Sequence, residues 1–219
     1  MNRVLDKLER KMKWFAIPNL MSYIAAGMLL VFLFDILEPV LGFSLSEALA
    51  FDRAAIFSGE VWRVITFIFM PPSSGIFFMI LALYFYWFIG SALEAQWGAF
   101  KFTFYIFIGM VLTALTGLLT GYATNLYITL SLFLAFAAVY PDYELMLFFV
   151  IPVKIKFLAY IDAVGLIALF VLGTWPSRIC LLISLGNFLL FFIGDLINSI
   201  KAFIRRRKYK KEMQDYWKK

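Results

Sequence analysis

Three carboxylates sit inside otherwise apolar stretches of this 219-residue sequence: Glu94, Asp162 and Asp195. Unpaired charge in hydrocarbon is costly, so each of them must face a partner, water or the membrane interface. Chemically they offer a proton or cation site; structurally they offer hydrogen bonds between helices. Glu94 stands in the run Gly90-xxx-Glu94-xxx-Gly98, which puts the acid and both glycines on one helix face. Glycines at that spacing allow close helix approach, and the acid can bond across the contact. Gly117 and Gly121 repeat the four-residue spacing. There is no histidine, which removes the commonest metal ligand and the usual general base. The single cysteine, Cys180, can form no intramolecular disulfide and no multi-thiolate metal site. With no metal cluster, phosphate loop or nucleophile elbow in the chain, no cofactor is expected.

The elements that position these acids are membrane helices. The chain is 63% hydrophobic and only 16% charged, against roughly half and a quarter in soluble domains, so it has too little charge to cover a solvated surface. Charge-free windows run over Trp14–Phe34, Val64–Leu93 and Phe102–Pro141. The last is long enough for two helices, with a break at Gly121-Tyr122-Ala123-Thr124-Asn125. Two further windows each hold one acid, Asp162 or Asp195. Six spans follow, at 15–37, 76–97, 102–120, 125–140, 157–173 and 178–200. Seventeen of the 20 Lys and Arg residues then fall on one side with both termini, which the positive-inside rule makes cytoplasmic. The first apolar stretch is too long for a cleavable signal and lacks a small-residue cleavage site, so it reads as a retained helix. No internal repeat is visible. The organisation is a basic cytoplasmic N-terminus over 1–14, a membrane domain over 15–200 and a basic cytoplasmic tail over 201–219. The tail contains Arg205-Arg206-Arg207-Lys208 and suits an anionic lipid surface or a cytoplasmic partner. Nucleic acid is not expected as a partner, because the basic residues lie where topology already requires them.

Two segments are unusual. Glu38–Gly75 is long for a loop between spans and too apolar to be a soluble one, so it is expected to lie in the interface as short helices. Ser44 or Ser46 is a candidate cap for one, and Ser58 for another running through Phe69 and stopping at Pro71-Pro72. The fourth span is only about 21 Å long over Leu126–Val139, which places it centrally in the bundle or beside a local thinning of the bilayer.

The residues Gly59-Glu60-Val61-Trp62-Arg63, the Gly90/Glu94/Gly98 motif and the Tyr140-Pro141 step resemble the rhomboid superfamily of intramembrane proteases and its inactive relatives, which include the derlins. So does the layout of six spans with a large interfacial first loop and a short fourth span. The resemblance implies an all-α, rhomboid-like six-helix membrane bundle. Active members use a serine at the start of the fourth span and a histidine in the sixth. The serine position aligns with Leu126 and the histidine position with a residue near Ser184. The dyad is absent, so the resemblance implies a pseudoprotease, not an enzyme.

What the resemblance further implies is lateral capture of transmembrane helices of client proteins near the second and fifth spans, in quality control or trafficking. In that picture Trp62 and Arg63 anchor the first loop, and Gly90, Glu94 and Gly98 hold the second span in the bundle. The alternative is a small proton- or cation-coupled transporter using Glu94, Asp162 and Asp195. A multi-pass protein of the bacterial cytoplasmic membrane is the expected location, ahead of the endoplasmic reticulum.

Overall fold

In the computed structural model, residues 8–72, 75–121, 123–147, 151–179, 181–183, 185–189 and 191–192 are described. Among them, the long apolar runs are helical. After a single 3₁₀ turn at Lys13–Phe15 come α1 (Leu20–Ile36), the first-loop helices α2 (Glu38–Leu41), α3 (Leu45–Leu49), α4 (Arg53–Phe57) and α5 (Arg63–Thr66), and a 3₁₀ turn at Phe67–Phe69. Then follow α6 (Ile76–Trp97), α7 (Ala99–Thr120), α8 (Leu126–Val139), a hairpin of β1 (Glu144–Leu147) and β2 (Ile151–Lys154), and α9 (Ile155–Leu172). Helical residues recur between 175 and 192.

Among the described residues, four segments are long and apolar enough to cross a membrane: Lys13–Ile36, Ile76–Trp97, Ala99–Thr120 and Ile155–Leu172. The fold is therefore that of a helical membrane protein. The expected second span coincides with α6. The third and fifth begin earlier than expected, because Lys101 and Lys156 lie inside the first turns of α7 and α9. A charge marks where hydrocarbon ends, and a helix can continue past that point. Residues 180, 184, 190 and 193–200 of the expected sixth span, residues 1–7 of the expected N-terminal segment and the whole expected tail 201–219 lie outside the described residues.

The spanning helices are apolar on every face, so amphipathicity does not select the buried side. Small residues and ring shapes do. α6 packs against α1, α7 and α8, and α8 packs against α6, α7 and α9. The short α8 is thus central, with half of its residues buried, including Tyr127, Ser131, Leu132 and Phe136. α9 is the most exposed of the spanning helices, with only Ile155 and Leu166 buried. The core is rich in large rings, among them Phe67, Phe102, Tyr105 and Phe136, each no more than 1% exposed.

The first loop does fold into short helices, but not all those expected. Ser44 caps α3, accepting from the Glu47 amide at 3.3 Å. Asp35, at the end of α1, accepts from the amides of Leu45 (2.9 Å) and Ser46 (3.0 Å) and from the hydroxyls of Ser44 and Ser46, so α3 is pinned to the end of α1. The helix expected from Ser58 to Phe69 is not continuous. Ser58 closes α4, donating to Ala55 O at 2.8 Å, while Asp52 caps that helix at its start. Gly59 then takes φ 117°, a left-handed value that ends any helical run, and α5 begins only at Arg63.

Between α8 and α9 the otherwise helical chain forms one short hairpin. Glu144 pairs with Lys154 and Leu147 with Ile151 in antiparallel register. Lys154–Glu144 (3.9 Å) and Lys156–Asp142 (3.1 Å) close its base beside the start of α9.

Candidate functional site

The side chains singled out by the sequence fall into three places. The first is the loop clasp. Arg63 Nε donates to Glu60 at 2.6 Å, and its Nη1 donates to the carbonyls of Glu47 (2.5 Å) and Ala50 (2.9 Å). Trp62 Nε1 reaches Ala48 O at 3.3 Å, and Thr66 Oγ1 reaches Leu49 O at 2.9 Å. One turn of α5 therefore satisfies the carbonyls that α3 leaves open at its end, the groups a short helix cannot bond internally. Trp62 and Arg63 both bond within this loop.

The second place is the contact of α1 with α6. Gly90 lies so close to Met21 of α1 that a Cβ would collide with its side chain. Glu94 Oε1 accepts from the Asn19 amide at 2.6 Å. Asn19 precedes α1 in a left-handed conformation, φ 57°, and its amide is one of the donors a helix start leaves unpaired. Glu94 is thus a helix-start acceptor with a shallow pocket of Asn19, Ser91, Ala95 and Ala99 around it. Gly98 does not do what its spacing suggests. A Cβ there would meet nothing within 4 Å, and the residue stands at φ 85°, ψ 155° as the single residue joining α6 to α7, a conformation open essentially to glycine alone. The Gly117/Gly121 pair divides its labour the same way: Gly117 packs under Phe51 and Ala123, and Gly121 ends α7 at φ 82°.

The third place is a groove of about 420 Å³ between α6 and α9, floored by α8. Phe85, Tyr86 and Ile89 line it from α6, Leu130 and Phe133 from α8, and Leu158, Ile161 and Asp162 from α9. Leu126 lies at its edge and also lines a second cavity of about 540 Å³, beneath Phe51, Phe67, Pro71 and Pro72. Tyr86, common to both, is hydrogen-bonded to Thr129, whose hydroxyl donates in turn to Asn125 O at 3.1 Å. Asp162 is half-buried, and its Oδ2 is buried with no hydrogen-bond partner among the described residues. No family model matches the chain, and no curated protein matches it.

Glu94 and Asp162 therefore sit in separate pockets that share no residue. Asp195 and Ser184 lie outside the described residues. Leu126 opens α8 with an aliphatic side chain, and the buried serine of that helix, Ser131, is paired with the Tyr105 hydroxyl instead.

Two asparagines matter that a count of charges passes over. Asn125 Nδ2 bridges Ile68 O (3.1 Å) and Met70 O (2.8 Å), tying the start of α8 to the end of the first loop. Asn187, 1% exposed, donates to Tyr105 O at 3.2 Å and faces Gly109. A neutral amide in an apolar window was the available signal, because hydrocarbon offers it no other partner.

Proposed function

We propose that this chain is a non-proteolytic, rhomboid-like membrane protein that takes transmembrane segments of client proteins into the groove between α6 and α9. The observation that carries this reading is the groove itself: apolar walls on two spanning helices, an exposed rim at Ile161 and Leu126, and one carboxylate inside. Helices in lipid gain little from apolar contact alone, so a polar group within a lipid-facing groove is what makes association specific. A chain without histidine, and with leucine at the aligned serine position, has no means of activating a nucleophile by the rhomboid route. Binding in quality control or trafficking is the role consistent with these features. In this reading both termini lie in the cytoplasm, the membrane is a bacterial cytoplasmic one ahead of the endoplasmic reticulum, and the basic tail meets anionic lipid or a cytoplasmic partner.

Coupled proton or cation transport would need its acids on one path. The separation of Glu94 from Asp162, and the use of Glu94 to start α1, favour binding over transport.

The test is photocrosslinking in native membranes from probes at Phe85 in α6 and Leu158 in α9. Capture of defined membrane proteins from both positions, and not from the far side of α1 at Leu30, is the expected result. Recovery of lipid alone would overturn the reading.

A further inference from the structure

We infer, resting on the binding reading above, that the groove selects transmembrane segments bearing a lysine or arginine, whose charge is met by Asp162. The groove has few polar groups, and most are already committed. Tyr86 and Thr129 bond to each other, and Thr129 also donates to the backbone of its own helix. Among the described residues, Asp162 is left as the lining group with an unpartnered buried oxygen. The cations nearest to it in sequence are taken: Lys154 pairs with Glu144 and Lys156 with Asp142 at the hairpin base. Nor does Glu94 compete for the same occupant, since it lies in another pocket and is held by Asn19.

Its Oδ2 meets no donor among the described residues, and an ionised carboxylate can accept but not donate. Both it and a basic residue on another helix are costly alone in lipid, and each removes the other's cost when they meet. A plain apolar helix or an acyl chain would fill the walls and leave the acid unpaired. An occupant carrying an acid would add a like charge. The chemistry therefore favours one occupant, a helix with a basic side chain at the level of Asp162, which is the eighth residue of α9 and lies about 10 Å along that helix from its start.

The experiment uses the full-length protein, acceptor-labelled on an appended tag, in phosphatidylcholine vesicles with donor-labelled model peptides. The peptides are Leu-rich spans with a single Leu, Lys, Arg or Glu moved through successive positions, and energy transfer reads the binding. The wild-type protein is expected to bind Lys and Arg peptides about tenfold more tightly than the all-Leu peptide, at one depth only, with Glu peptides weakest. Asp162→Asn is expected to bring Lys, Arg and Leu peptides within about twofold of one another, and Asp162→Lys to favour Glu. Equal binding of Lys and Leu peptides by the wild-type protein would overturn the inference without recourse to any variant, as would a preference that survives Asp162→Asn. If all peptides bind equally and filling the groove with Leu130→Trp abolishes that binding, selection by charge is wrong and the binding reading stands. If no peptide binds and only lipid occupies the groove, both fall.

Discussion

Arg63 makes a forked set of bonds to one carboxylate and two backbone carbonyls, and it is largely buried while doing so. Arg63→Ala would leave three acceptors short of a donor and is expected to cost about 2 kcal/mol, read by steric-trap unfolding in bicelles. Arg63→Lys should recover less than half of that, since an ammonium cannot reproduce the planar fork. The residue types at 62 and 63 were legible in the sequence; their partners were not, because those partners are main-chain carbonyls that any residue supplies. Asp162 was legible as an anomaly in an apolar run, and its placement in a groove depended on which face of α9 met α8. Asn187 carries no charge, so a window bounded by charges does not mark it.

At the scale of elements, Gly90 inside α6 and Gly98 just beyond its end make opposite predictions. Gly90→Ala pushes a methyl into Met21 and is expected to destabilise by about 1–3 kcal/mol. Combined with Met21→Ala it should cost less than the two single changes together, and a double-mutant cycle measures the difference. Gly98→Ala meets no neighbour, so no second-site truncation should rescue it. Its cost, about 1–3 kcal/mol, is backbone strain at a positive φ. A spacing rule assigns both glycines the same task because it sees the interval and not the helix end. The helices themselves were legible, since length and hydropathy report them directly. The hairpin Glu144–Lys154 was not: its residues combine an apolar run with Pro152, and only the pairing of Glu144 with Lys154 makes them strands.

For the whole molecule, the first loop and the α6–α7 junction lie at opposite ends of a helix about 33 Å long, α7, with Arg53 against Leu119 at one end and Lys101 at the other. In a background with Cys180→Ser, cysteines at Glu60 and Lys101 should react with a membrane-impermeant maleimide from opposite faces of sealed vesicles. Labelling of both from one face would refute the placement of α7 across the bilayer. The junction has one more consequence. With a single residue between α6 and α7, the two helices share a fixed phase, as meshed gears do. One inserted residue there would turn α7 by about 100° and carry Phe102, Tyr105, Ile106 and Thr113 out of the core together. Length variation in this protein should therefore be tolerated in the first loop or between α7 and α8, and be lethal to folding at position 98, whatever residue is added.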